Sequence, residues 1–437
     1  MAEMTQAKAG KILQGSPRGI VSIPPSKSLA HRAIICAGLA VGQGVSVLDP
    51  IDDSLDILAT LGGMSALGAH WYKEGSSLIL PGRDESSAFP DAFTGAFPSP
   101  QTIDCGASAS TLRFLLPLAA LSPRTTIFTG EERLMDRSVA AYALALPQAG
   151  VSFRHEGRRI VVQGPLRSGI FTLPGNVSSQ FVSGLLMALS LADSDSEIRL
   201  SSPLESRPYV TMTLATLAAF GIIAREIKAD CFWIPGGQRY RPAAFSIEGD
   251  YSQAAYFLAA AALGCPVACA NLSPHSLQGD RAILEILHDM GATNVADIRD
   301  TMDIITVKAG RDALSAVTVD ARDIPDLVPP LAALCCYCRG TSRIINAGRL
   351  RLKESDRLHA LASTLGKLGA DIREDGNSLI ITGREELQGG VTVDAHNDHR
   401  IAMAIAVAAI GCREPVFLTG AESVAKSYPD FWHHFEN

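Results

Sequence analysis

Six stretches of this chain are too apolar for surface helices, and each begins with polar residues: SKSLAHRAIICAGLA, SASTLRFLLPLAAL, SSQFVSGLLMALSLA, YSQAAYFLAAAAL, IPDLVPPLAALCC and NDHRIAMAIAVAAI. A helix that is apolar all round must be buried all round, so only its ends can meet water or a ligand. With Lys27, Ser110, Ser179, Ser252, Asp326 and Asp398 as openers, the stretches recur at 83, 69, 73, 74 and 72 residues, close to a sixth of the 437-residue chain. The sequence therefore predicts six β/α units of about 73 residues. A second series marks where other helices stop. Leu67-Gly68-Ala69, Ala149-Gly150-Val151, Phe220-Gly221-Ile222, Met290-Gly291-Ala292 and Leu368-Gly369-Ala370 each place a glycine where a helix ends in a left-handed residue before a strand.

The openers are where chemistry is expected. A helix N-terminus carries unpaired N–H groups and about half a positive charge. A serine or aspartate there is ordinarily an N-cap. Six such ends that also carry Lys27, Arg32, Arg113 and Arg400 form a credible anion site. Cations beside hydroxyls or carboxylates recur in PPSKSLAHR, SASTLR, GEERLMDR, NVSSQ, SRPY, LKESDR, NDHR and AKSYPD. Arginine forks suit carboxylate and phosphate, so the expected ligand carries several negative charges.

Composition excludes other classes. A chain this long exceeds one ordinary core, and 47% apolar with 19% charged residues describes a soluble globular protein of two domains. The net charge of −7 argues against nucleic acid as the main partner. The run IAMAIAVAAI is half a membrane span, and MAEMTQAKAGKILQG lacks the apolar centre of a signal peptide. The expected location is cytoplasmic, with no membrane partner. Nine cysteines include Cys335, Cys336 and Cys338 in an apolar run without a second Cys/His pair, which predicts core packing and no metal. No GxxxxGK[ST] or GxGxxG loop is present in the sequence, so no nucleotide cofactor is expected.

Together PSKSLAHR, VSSQF, LKESDR, NDHR and AKSYPDFW resemble, in order and spacing, the 5-enolpyruvylshikimate-3-phosphate synthase (3-phosphoshikimate 1-carboxyvinyltransferase) family, nearly end to end. The resemblance implies an α/β (α+β) enolpyruvyl transferase fold of two globular domains, each of three repeated β/α units with buried helices under sheets. The implied boundaries are 1–23 plus 248–437 for one domain and 24–247 for the other, with the active site in the cleft between them. It implies transfer of the enolpyruvyl group of phosphoenolpyruvate to the 5-hydroxyl of shikimate 3-phosphate, releasing phosphate through a tetrahedral intermediate. The pathway is that of chorismate and the aromatic amino acids. No cofactor is needed, and a monomer is expected.

Carried onto this sequence, the resemblance gives shikimate 3-phosphate to Lys27, Ser28, Arg32, Ser178, Ser179, Gln180, Ser206, Tyr209, Asp326 and Lys353. Phosphoenolpyruvate falls to Lys27, Ala109, Arg133, Gln180, Arg357, Arg400 and Lys426. Asp326 is the implied base on the 5-hydroxyl, Glu354 and Lys27 handle the proton at carbon 3, and His399 and Arg113 orient neighbours. Arg349 stands where some members carry an asparagine near the shikimate ring. The donor loop, commonly N-[AS]-G-T-x-x-R, here has Ala107 for asparagine and Ala109 for glycine. In the family that alanine accompanies insensitivity to glyphosate, so a glyphosate-insensitive type is implied. Two other readings remain. One is the sister transferase acting on UDP-N-acetylglucosamine, which typically carries a loop cysteine absent between Cys105 and Cys231. The other is a non-catalytic phosphometabolite-binding protein on the same scaffold.

Overall fold

The computed structural model describes residues 10–13, 15–83, 100–136, 139–297 and 303–436. The chain divides into a middle unit, residues 25–248, and a terminal unit, residues 1–24 with 249–437. Each has its own apolar core.

One repeat shows the plan. Strand Gln101–Asp104, helix Ala109–Ala119, strand Thr125–Thr129, helix Ala140–Gln148 and the hairpin strands Ser152–Glu156 and Arg159–Gln163 follow one another. In the sheet the first strand lies parallel to the second, which pairs antiparallel with the fourth, and the fourth with the third. The register sets Ile103, Phe128 and Ile160 in one row, all buried, while Thr102, next to Ile103 along its strand, is exposed. The same order recurs from Ile170–Leu173 to Cys231–Ile234, and from Thr318–Asp320 to Ser378–Thr382.

The three remaining sheets borrow strands. In the middle unit, Val45–Asp49 receives its parallel first strand from Ala244–Ser246, at the far end of the unit. In the terminal unit, Gly19–Ser22 lies parallel to Val267–Ala270, and Lys11–Leu13 closes the sheet of Thr392–Asp394 and Val416–Thr419. Each passage between units thus falls where a strand would enter a buried helix, after Ser22 and after Ser246.

The apolar helices are buried as their composition requires. All twelve residues of Tyr251–Ala262 are buried, and so are the last ten of Lys27–Leu39. Cys335, Cys336 and Cys338 are buried in the core as expected. Three openers start elsewhere than the sequence suggests, one of them Ser252, the second residue of a helix that begins at Tyr251 behind its cap Asp250. The helix beginning at Ala109 is capped by Ser108, and Asp326 lies in a short 3₁₀ turn, Pro325–Leu327, ahead of helix Val328–Cys335. Proline at 325, 329 and 330 accounts for the latter, since each withholds a backbone donor. No helix among the described residues is long and apolar enough to cross a membrane.

The five predicted helix-ending glycines are all left-handed, with φ of +81°, +89°, +79°, +103° and +97°. In each case the next residue's N–H closes onto a carbonyl five residues back, as Ala69 does onto Met64 at 2.9 Å. A further glycine series, unread in the sequence, follows the hairpins at Gly82, Gly164, Gly236 and Gly383. There the chain crosses the C-terminal end of a buried helix so closely that a Cβ at Gly164 would lie 1.8 Å from the Ala120 oxygen, and one at Gly383 1.7 Å from that of Cys338. Gly164→Ala should therefore lower the free energy of urea unfolding by roughly 3 kcal/mol. Gly157→Ala, with nothing within 4 Å of its Cβ and only a φ of +60° to hold, should cost about 1 kcal/mol.

Candidate active site

In the terminal unit the polar openers converge on Asp326. Its Oδ1 lies 3.1 Å from Nη1 of Arg357 and 3.6 Å from Nζ of Lys353, and its Oδ2 lies 3.1 Å from Nη2 of Arg400. Arg357, the first residue of helix Arg357–Lys367, also donates to Glu354 at 2.6 Å and grips Asp398 with Nε and Nη2 at 2.8 and 3.2 Å. Asp398 in turn caps helix His399–Ala409 by accepting from the Arg400 N–H at 3.0 Å, and it accepts from the Ser355 hydroxyl at 2.8 Å. Arg400 donates to the Ser252 hydroxyl at 3.0 Å, and that hydroxyl donates to Asp250, the cap of helix Tyr251–Ala262, at 2.6 Å. Three helix N-termini and one 3₁₀ turn thus place three cations against three carboxylates.

The burial of this set is uneven. The side chains of Arg357 and Asp398 are 1% and 0% exposed, whereas Lys353 and Glu354 remain 27% and 28% exposed. Burial pushes the Asp326 carboxyl up, but Arg400, Lys353 and Arg357 outweigh it and hold it below the usual carboxylate range. Burial likewise raises Asp398, and Arg357 brings it below its ordinary value. Burial pulls the Lys353 ammonium down to about 8, against the opposing effect of Asp326.

The middle unit holds two groups. In the first, helix Lys27–Leu39 places Lys27 2.7 Å from Asp56. One turn on, Arg32 is 2% exposed and stacks 5.1 Å over Phe114, donating to the Thr213 hydroxyl at 2.7 Å, to the Tyr209 carbonyl at 3.0 Å and to the Ser28 carbonyl. The second group joins two helix starts. Arg113 donates to Oε1 of Gln180 at 2.8 Å and approaches the Ser178 hydroxyl at 3.5 Å, while Nε2 of Gln180 donates to the Ser110 hydroxyl at 2.8 Å. Ser178 caps helix Ser179–Leu189, accepting from the Gln180 N–H. Ser206, which precedes helix Arg207–Ala219, is held left-handed at φ 57°, a costly conformation for a serine.

The sequence-predicted residues therefore fall into compact sets. Asp326, Lys353, Glu354, Arg357, His399 and Arg400 gather around the terminal unit's helix starts. Lys27, Ser28, Arg32 and Tyr209, with Ala109, Arg113, Ser178, Ser179, Gln180 and Ser206, lie at those of the middle unit. Arg349 donates to the Arg322 carbonyl at 3.0 Å, Arg133 is exposed on the four-residue helix Glu132–Met135, and Lys426 ends a 3₁₀ turn, Ala421–Lys426. Sequence reasoning named Asp326 and Glu354 but missed Asp398 and Asp56 as the carboxylates that hold Arg357 and Lys27. Asp398 was visible as a helix opener, but Asp56 stands 29 residues from Lys27 and carries no local signal.

Arg357→Met strands Asp398 in the interior and should lower the unfolding free energy by roughly 3–5 kcal/mol near neutral pH. Asp398 and Asp326 are held below their unfolded value, near 3.9. The stability they contribute is thus present above that pH and is lost as pH falls below it. Urea unfolding of both proteins at about pH 7 and about pH 3 should show the gap between them narrowing at the lower pH.

A family model described as EPSP synthase (3-phosphoshikimate 1-carboxyvinyltransferase) matches residues 14–435. The chain is similar to proteins described as 3-phosphoshikimate 1-carboxyvinyltransferase from Clostridium novyi (strain NT), 43% identical over 98% of this chain and 96% of the relative, and from Clostridium kluyveri, 42% identical over 96% and 94%. Among solved structures it resembles an EPSP synthase from Acinetobacter baumannii with a TM-score of 0.78, covering 98% of this chain and 97% of that one. At 23% identity that likeness speaks for the fold alone.

Proposed function

Because the chain belongs to the EPSP synthase family, and so is an enolpyruvyl (1-carboxyvinyl) transferase of the shikimate pathway, we propose how its own residues carry the reaction. The observation that carries the reading is the set of cations held against Asp326, Glu354 and Asp398. A ligand pair bearing two phosphates and two carboxylates needs cations that are fixed in place yet able to change partners.

Ser178, Ser179, Ser206 and Lys353 hold the shikimate phosphate. Ser28, with Arg32 behind it, meets the carboxylate, and Tyr209 and Gln180 line the ring. Lys27, Arg133, Arg357, Arg400 and Lys426 hold phosphoenolpyruvate, whose phosphate faces the backbone at Ala109 and Ser110. Asp326 takes the proton of the 5-hydroxyl as that oxygen attacks carbon 2. With three cations against it Asp326 is a poor base. When the substrate anions draw those cations off, its carboxylate becomes more basic where the hydroxyl arrives. Glu354 and Lys27 pass the proton to and from carbon 3, and phosphate leaves from the tetrahedral intermediate. His399 and Arg113 orient these groups. We place the enzyme in the cytoplasm as a monomer.

Phosphate release from shikimate 3-phosphate plus phosphoenolpyruvate tests the reading, and turnover with UDP-N-acetylglucosamine in its place would overturn it. Asp326→Asn should lower kcat by roughly 10²–10⁴-fold, with the KM for phosphoenolpyruvate changed far less. Lys353 must be protonated to hold phosphate, so kcat/KM for shikimate 3-phosphate should fall as pH rises past about 8. Lys353→Arg should move that limb upward.

The Ala109 methyl, at the first turn of its helix, narrows the space beside the donor phosphate. Glyphosate is longer than phosphoenolpyruvate, and a methyl in a tight fit opposes it by roughly 1–3 kcal/mol. The protein is therefore glyphosate-insensitive in our reading. Ala109→Gly should become sensitive, and equal strong inhibition of both forms would end that reading.

A further inference from the structure

Beneath the donor-facing loop the middle unit's core contains four polar side chains in a line. His31 of helix Lys27–Leu39, Thr60 of helix Leu55–Ala66, and Thr111 and Ser108 at the start of helix Ala109–Ala119 are each no more than 2% exposed. Nδ1 of His31 lies 2.7 Å from the Thr60 hydroxyl, which lies 2.7 Å from that of Thr111. Thr111 directs both its N–H and its hydroxyl proton at the Ser108 oxygen, at 3.2 and 2.8 Å.

This arrangement has a direction. A hydroxyl has one proton to give. Thr111 spends its proton on Ser108, so toward Thr60 it can only accept. Thr60 therefore donates to Thr111 and must accept from His31. Nδ1 of His31 must then carry hydrogen, and the chain runs one way from the imidazole to the cap of the helix. The ring's surroundings keep it neutral: burial lowers its pKa to about 3, Lys27 and Arg32 push the same way, and Asp56 alone opposes them. The ring lies nearly perpendicular to that of Phe114, with centroids 6.5 Å apart.

Ser108 is the residue through which this order reaches the site. It caps the helix whose first residues are Ala109 and Ser110, and Ser110 is already tied to Gln180. We propose that His31, as the neutral Nδ1–H tautomer, is a positioning residue: through Thr60 and Thr111 it sets the first turn of this helix in the geometry that receives the phosphate of phosphoenolpyruvate. The proposal rests on the reading that this helix start faces the donor. Core packing alone would satisfy the four groups without linking them to one substrate.

Thr60→Val keeps the shape and breaks the chain, and Thr60→Ser restores it. The KM for phosphoenolpyruvate should rise about tenfold in Thr60→Val, the equivalent of one buried hydrogen bond. The KM for shikimate 3-phosphate should stay within about twofold, and Thr60→Ser should recover both constants. An unchanged donor KM, or equal changes in both constants, would overturn the positioning role. In protein labelled with ¹⁵N at histidine, with His31→Gln identifying the resonance, the His31 ring should report Nδ1–H and not titrate between about pH 5 and pH 9. An Nε2–H ring or a titration in that range would overturn the chain itself. This measurement needs no substrate, so it decides the chain even if the functional reading fails, and it stands if the valine variant does not fold.

Discussion

The structure depends on burying six helices on every side. Helices of this composition leave few places for a charged group except near their ends, and the sheets of each repeat seal the flanks. Polar side chains are concentrated where the strands hand over to the helices, beside N–H groups that no helix can satisfy internally. The location of the chemistry is thus a by-product of packing, since the core admits charge only at the thresholds of its helices.

The second constraint is electrostatic. Placing Arg357 and Arg400 among buried side chains without partners would cost far more than a folded protein can bear. Asp398 and Asp326 solve this by holding the arginines in the absence of anions. Lys27 with Asp56 repeats the device in the middle unit. The carboxylates differ in what they permit: Asp398 is fully enclosed, whereas Asp326 and Glu354 keep some contact with solvent. Only the more open pair can readily give up their cations to a ligand, which separates a scaffold carboxylate from two that can take part in chemistry.

Much of this was legible in the sequence because it follows from local rules. Apolar runs of fixed spacing give the repeats, and a left-handed glycine ends five helices, since only glycine takes that conformation cheaply. The sequence was silent where the reason is distant. Gly164 and Gly383 are required by a carbonyl more than forty residues away, and Asp56 by a lysine on another helix. The helix start at Ala109 was read one residue late, because Ser108 and Ser110 are equally good caps and the fold uses the earlier one. The line from His31 to Ser108 joins residues 77 positions apart and had no pattern to betray it.

The borrowed strands order events in time. Residues 25–248 contain everything the middle unit's sheets need, including Ala244–Ser246, so that unit can close as soon as its own stretch has left the ribosome. The terminal unit cannot. Lys11–Leu13 and Gly19–Ser22 emerge first, yet their partners at Val416–Thr419 and Val267–Ala270 are among the later residues made. Two short edge strands must therefore wait, unpaired, while more than half of the protein is synthesised and folds. Their shortness, three and four residues, limits what they can bind wrongly in the interval.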